Sequence, residues 1–214
     1  MRKFFMLTFA TIAIGALVLT SLSWALKPQS VGPAEAPAPD DHTDAVVQVY
    51  GADVWGMRGR FAIHTWVVTK AANADSYRKY QVIGWRLRRG LPVVSISSDR
   101  PDGDWFGSPP VLLLDKRGSD AQQLVDAIHE AALSYPYSNE YVMYPGPNSN
   151  SFTAWIALEV PQLNLELPAK AIGKSWMMET YPLLQNRTDQ AVRVSELPTE
   201  LAVSNSSTSA LNSD

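Results

Sequence analysis

Two groups of residues in this chain carry side chains that can move a proton or attack carbon. One is His64, an imidazole within an apolar stretch, suited to general-base work near neutral pH. The other, some eighty-five residues on, is Asn148-Ser149-Asn150-Ser151. Phe152, Trp155 and Ile156 follow it at helical spacing. Pro145, Gly146 and Pro147 force a tight, non-helical turn just before it. A turn that delivers hydroxyls and free backbone N–H groups onto a helix N-terminus can hold an anion or an oxyanion. In that reading Ser149 or Ser151 is the nucleophile, His64 moves the proton, and the helix amides hold the oxyanion. Asn148, Asn150 and Trp66 are the candidate binding residues. Asp53, Asp75, Asp99 and Glu140 are candidates to orient the imidazole, and the sequence does not rank them. The plain alternative is a satisfied core histidine and a well-capped helix.

The totals bound what surrounds these residues. A chain of 214 residues, 46% apolar and 18% charged, has the make-up of one globular domain with appendages. A net charge of −3 speaks against a nucleic-acid partner. The absence of Cys removes disulfides, thiolate nucleophiles and Cys-based metal sites together. His42, His64 and His129 lack metal-ligand spacing, so neither metal nor cofactor is expected. Seven Trp can build a core or line a groove for a flat ligand, and core is the commoner use.

Arg2 and Lys3 precede an uncharged run, residues 4–26. It is read as a membrane anchor, or as a signal peptide cleaved near Ser23-Trp24-Ala25. The basic side is the short one, so either reading puts the rest of the chain outside the cytoplasm, in the periplasm or another extracytoplasmic space. Residues 27–44, with four Pro among Ala and Gly and three Asp at the end, form a semi-extended linker. Residues 45–185 are the globular domain, and the polar residues 186–214 a disordered tail.

Within the domain, strands are expected at residues 46–50, 60–70, 80–85 and 93–96, with a short one inside 105–114 limited by Pro109 and Pro110. Residues 60–70 are apolar on nearly both faces, as in a central strand. Arg86, Arg88 and Arg89 form a basic cluster, either a solvated edge or an anionic contact. The Asp-rich turn at 99–104 is only loosely like a calcium loop. A helix at 120–134 has Ala121, Leu124, Val125, Ile128, Ala131 and Ala132 on one face, with His129 at the surface. A second helix runs from the Asn-Ser-Asn-Ser stretch to about Val160. The fold class is α+β: a mostly antiparallel sheet of four to six strands with two main helices packed on it.

The order of elements is similar to that of circularly permuted papain-like folds, where a strand His precedes an Asn-Cys pair at a helix start. Here Asn148-Ser149 takes that place, and Ser is a poorer nucleophile than a thiolate. Six phrases also resemble an uncharacterised bacterial membrane-anchored family, the domain-of-unknown-function family numbered 3750. They are Val47-Gln48-Val49-Tyr50, Phe61-Ala62-Ile63-His64-Thr65-Trp66, Tyr80-Gln81-Val82-Ile83-Gly84-Trp85, Trp105-Phe106-Gly107, Pro145-Gly146-Pro147-Asn148-Ser149-Asn150-Ser151-Phe152 and Leu167-Pro168-Ala169-Lys170-Ala171-Ile172-Gly173-Lys174. The resemblance implies a single N-terminal anchor and an exported domain, and no activity. One departure is the polar continuation through Asn186-Arg187-Thr188, where a Gly/Leu-rich apolar segment is usual. The expectation is a membrane-anchored envelope domain acting as a binding or structural module. The alternative is a Ser/His-dependent hydrolase or acyl/amide-transfer enzyme of the cell envelope. The expected partners are the lipid bilayer, through residues 4–26, and an envelope component or small ligand.

Overall fold

The computed structural model describes residue 32 and residues 34–195, with side chains as far as residue 186. The apolar run 4–26, its cleavage site and residues 196–214 of the expected tail lie outside the described residues. Two compact units divide the chain, Met1–Met178 and Glu179–Asp214.

Segments rich in β-branched and aromatic residues form five strands. They are β1 (Val46–Asp53), β2 (Ile63–Lys70), β3 (Arg78–Val82), β4 (Val94–Ser97) and β5 (Val111–Arg117). One antiparallel sheet results, in the order β4-β3-β2-β1-β5. β2 is buried at all eight positions, its four polar residues included, and β1 at all but its last, as suits two inner strands of the sheet. The helices are α1 (Ser119–Leu133), α2 (Ser149–Glu159) and α3 (Lys174–Ser195). α1 buries the six-residue apolar face read from its sequence. It packs on β1 and β5, while α2 packs on β2, β3 and α1. The Trp155 indole N–H donates to the Ala131 carbonyl at 2.7 Å and ties the two helices together. The fold is α+β with an antiparallel sheet, as the sequence predicts.

Strand alternation sorts β2 between the two faces of the sheet. Thr65 points to α2, its hydroxyl 2.9 Å from both Asn150 Oδ1 and Thr153 Oγ1. Trp66 points the other way, into a core of Val46, Tyr50, Ala52, Val68, Tyr77 and Leu112. His64 shares that second face, opposite Ala52 in the β1–β2 register.

The second face is covered by chain without regular structure. Ala34, Ala36 and Trp105 pack against the core there. The Ala36 N–H donates to Asp102 Oδ2 at 3.0 Å, and the Tyr77 hydroxyl donates to the Pro37 carbonyl at 2.9 Å. The end of the Pro-rich linker is therefore part of the domain. Its prolines hold it extended without needing a ladder partner, so it can lie as a strap over apolar side chains.

Several boundaries differ from the sequence reading. Arg60 and Phe61 are not in β2: a 3₁₀ turn, Gly56–Arg60, precedes it. A second 3₁₀ segment, Gly84–Arg89, takes the place of the end of the third strand. Pro109 and Pro110 fall outside β5, which starts at Val111. His129 is half-buried, with Nδ1 3.3 Å from the Tyr80 hydroxyl, because the sheet rather than solvent lies beside that side of α1. Residues 186–195, read as disordered tail, are helical. They contain neither Gly nor Pro, so nothing in them breaks the helix. From Glu179 the second unit is a helix to Ser195 that contains Pro182. Among the described residues no helix is long and apolar enough to cross a membrane.

Candidate functional site

The Asn-Ser-Asn-Ser stretch is divided between structure and surface. Asn148 is the N-cap of α2: its Oδ1 accepts from the N–H groups of Asn150 at 3.0 Å and Ser151 at 3.1 Å. The Ser151 hydroxyl accepts from the Asn148 N–H at 2.9 Å, completing a reciprocal capping box. The Asn148 amide also donates to the Met143 carbonyl. Asn150 is committed on both sides of its amide. Its Oδ1 accepts from Thr65, and its Nδ2 donates to the carbonyls of Ile63 at 3.0 Å and Ile172 at 2.8 Å. The Gly173 phrase crosses directly over this cap. A Cβ on Gly173, whose φ is +106°, would meet the Asn148 amide at 2.5 Å, so only glycine fits there. Ser151, Asn148 and Asn150 thus hold the turn and the helix start together. Ser149 is different: its hydroxyl makes no hydrogen bond to any described residue, although its carbonyl accepts from Thr153.

His64 is closed in on several sides. Its ring is stacked on Trp105, with centroids 3.6 Å apart, and lies 5.8 Å from Trp66. Nε2 is 3.2 Å from Gln81 Oε1 on β3. An amide oxygen only accepts, so Nε2 carries the proton and donates, leaving Nδ1 as the acceptor of a neutral imidazole. Burial pushes the His64 pKa down to about 3, against the pull of the Gln81 hydrogen bond, and the nearby Lys79 charge adds to the lowering. That lysine lies over the Trp66 ring, 4.5 Å from its centroid.

His64 and Ser149 line the same cleft, of about 390 Å³. No hydrogen bond joins His64 to Ser149 or Ser151. The reason lies in the alternation of β2, which gives α2 to Thr65 and the opposite face to His64. Trp66 is not in the cleft. It is fully buried behind His64 and donates to the Pro101 carbonyl at 2.8 Å.

The cleft's character comes from residues that neither motif nor spacing marks. Seven aromatic side chains line it: Trp55, Phe61, Trp85, Trp105, Phe106, Tyr141 and Tyr144. They arrive from four separate loops, and the rings of Trp85, Trp105 and Phe106 touch one another. Asn148, Ser149, Asn150 and His64 supply neutral polar groups, and Arg58 is the one charged residue among those lining it. An aromatic cleft with a few polar groups is the usual make-up of a small-molecule site. Among the described residues, no group of three or more His, Asp or Glu could hold a metal ion. Gln81, the hydrogen-bond partner of His64, was also missed. Its signal was its place beside the His strand in the antiparallel order, a relation visible only once the register is known.

Comparison with known proteins gives a family match over residues 44–176, to the family described as Protein of unknown function (DUF3750). No curated protein and no solved structure matches the chain. The match covers more than half of the sequence and takes in the whole sheet, α1, α2 and every residue that lines the cleft; the chain belongs to the DUF3750 family of proteins of unknown function.

Proposed function

We propose that this protein is an envelope domain, tethered to a membrane by residues 4–26, whose cleft binds an apolar ligand of acyl or aryl type with one small polar end. The observation that carries this reading is the aromatic lining of the cleft, set against how few free polar groups lie within it. A sugar would need many hydrogen-bond partners, and the amides of Asn148 and Asn150 are already engaged internally. The Ser149 hydroxyl and the Arg58 guanidinium are left to meet the polar end. The apolar part of the ligand would replace water against rings that have little use for it.

The test is uptake of a fluorescent fatty acid, followed by energy transfer from the cleft tryptophans. Trp85→Ala together with Phe106→Ala should weaken uptake at least about tenfold, the scale of two lost apolar contacts. Leu133→Ala, on the exposed side of α1, should leave it unchanged. Uptake that ignores the cleft variants would refute the reading.

One observation favours a second reading, a Ser/His-dependent acyl hydrolase. Ser149 has an uncommitted hydroxyl at a helix N-terminus, in the same cleft as an imidazole that Gln81 orients. The low pKa of His64 weighs against it, because a neutral imidazole so reluctant to take a proton is a weak general base. Turnover of a short acyl ester that disappears in Ser149→Ala would favour hydrolysis over binding.

A further inference from the structure

The rim of the cleft has a composition of its own. Trp55, Met57 and Phe61 flank or occupy the Gly56–Arg60 turn and are 77%, 70% and 58% exposed. Large apolar side chains so fully in water, and so close together, mark a contact surface. They are interleaved with arginine. Arg58 and Arg60 lie on this turn, and Arg86, Arg88 and Arg89 on the Gly84–Arg89 segment, whose Trp85 lines the same cleft. Residues 54–61 and 84–91 contain no Asp or Glu. The adjacent Asp53 is paired with Lys170. Although the chain's net charge is −3, these two segments carry five arginines and no carboxylate; Arg86 is half-buried and donates to the Pro92 carbonyl, and the other four are exposed beside the apolar side chains.

We propose that this rim docks on an anionic lipid bilayer, with Trp55, Met57 and Phe61 entering the headgroup layer and the arginines meeting lipid phosphates. Interfacial segments combine apolar side chains for the acyl boundary with cations for the anionic surface. Tryptophan in particular prefers that depth. A protein partner would have to be both acidic and apolar. The bilayer is favoured by where the tether leaves the domain. Ala36 is bonded to Asp102, three residues before Trp105 of the cleft wall. With residues 4–26 as the anchor proposed above, residues 27–33 alone connect the anchor to the docked strap, a reach of roughly 25 Å at full extension. The tether thus holds this side of the domain near a membrane surface. The inference goes beyond ligand binding and does not need it: a cleft that takes up no fatty acid leaves the docking measurement untouched.

The chain has no Cys, so one can be placed at will. Full-length protein carrying a nitroxide at Met57→Cys would be reconstituted in phosphatidylcholine vesicles with and without phosphatidylglycerol. A label at Leu133→Cys, on the exposed side of α1, is the reference. With phosphatidylglycerol, the Met57 label should lose several-fold of its collisions with a water-soluble nickel chelate and gain collisions with oxygen, while the Leu133 label is unchanged. High salt, or Arg58→Glu with Arg88→Glu and Arg89→Glu, should restore the collisions with nickel. A Met57 label as open to nickel as the Leu133 label in anionic vesicles would overturn the proposal. So would protection that is equal without phosphatidylglycerol and survives the charge reversals. Protection in neutral detergent micelles that grows with protein concentration would assign the rim to a protein partner instead.

Discussion

The imidazole of His64 lies face to face with the indole of Trp105, centroids 3.6 Å apart and planes 8° from parallel. A ring stacked and buried in this way is held neutral, which has a measurable consequence. The unfolded chain has a histidine of ordinary pKa, 6.5, while the folded one titrates only near 3. Between those values the unfolded state binds the extra proton, so stability falls as pH is lowered through that window. Above 6.5 the group contributes no pH dependence. Urea titrations should show the loss, with a slope of up to about 1.4 kcal/mol per pH unit from this group. His64→Gln should flatten the curve between pH 6 and 4 relative to the parent. Identical slopes in the two proteins would mean that His64 is not held neutral.

Ser149 and Ser151 are two residues apart and should behave differently. Ser151 closes the capping box of α2, so Ser151→Ala should cost about 1 kcal/mol of stability in chemical denaturation. Ser149→Ala removes a hydroxyl with no described partner and should change stability by less than about 0.5 kcal/mol. Its effect should fall on fatty-acid uptake or ester turnover. The reverse pattern would show that the two roles have been exchanged.

Asn150 ties α2 to two other pieces of chain: β2, through Thr65 and Ile63, and the segment beyond α2, through Ile172. Asn150→Ala removes the donor to the buried Ile63 carbonyl and the half-buried Ile172 carbonyl, while Thr65 keeps Thr153, so a loss of about 2 kcal/mol is expected. Asn150→Asp keeps the shape but replaces the two N–H donors with an acceptor, and should be no better. Calorimetry would show either variant as a large fall in melting temperature. A shift as small as that of a surface substitution would rule out this bridging role.

A methyl group at Gly84 would come within 2.6–2.8 Å of the Tyr141 ring. Tyr141 must then leave its place in the cleft wall. Gly84→Ala should therefore lower fatty-acid uptake several-fold while costing stability only about 1 kcal/mol, since Tyr141 is already partly exposed. A crystal structure of the variant with Tyr141 unmoved would contradict this.

Much of the scaffold was legible in the sequence because its signals are local. β-branched runs marked the strands, and a six-residue apolar stripe marked α1. The Pro-Gly-Pro turn and the capping residues fixed the start of α2, although which of four cap-capable residues would cap was settled only by packing under Gly173. The 3₁₀ segments Gly56–Arg60 and Gly84–Arg89 escaped notice, since a single tight turn has no hydrophobic period. The cleft was the least legible part. Trp55, Trp85, Trp105 and Tyr141 are far apart in sequence, and only the sheet brings their loops together. The tryptophan count hinted at a groove, but a count says nothing about which rings face water. His64 and Ser149 were picked out by residue type; that the His64 side chain and α2 lie on opposite faces of β2 follows from counting alternate positions from Thr65, which meets α2.

The sheet ends in two unequal borders. On one side β4 has only four residues; on the other β5 closes with Asp115, Lys116 and Arg117, and Pro109 and Pro110 stand just before its first residue. Neither border offers a long, uncharged row of backbone groups to another chain. Copies at high local concentration would thus lack the simplest template for strand-to-strand stacking, and crowding would raise their number without zipping them into fibrils.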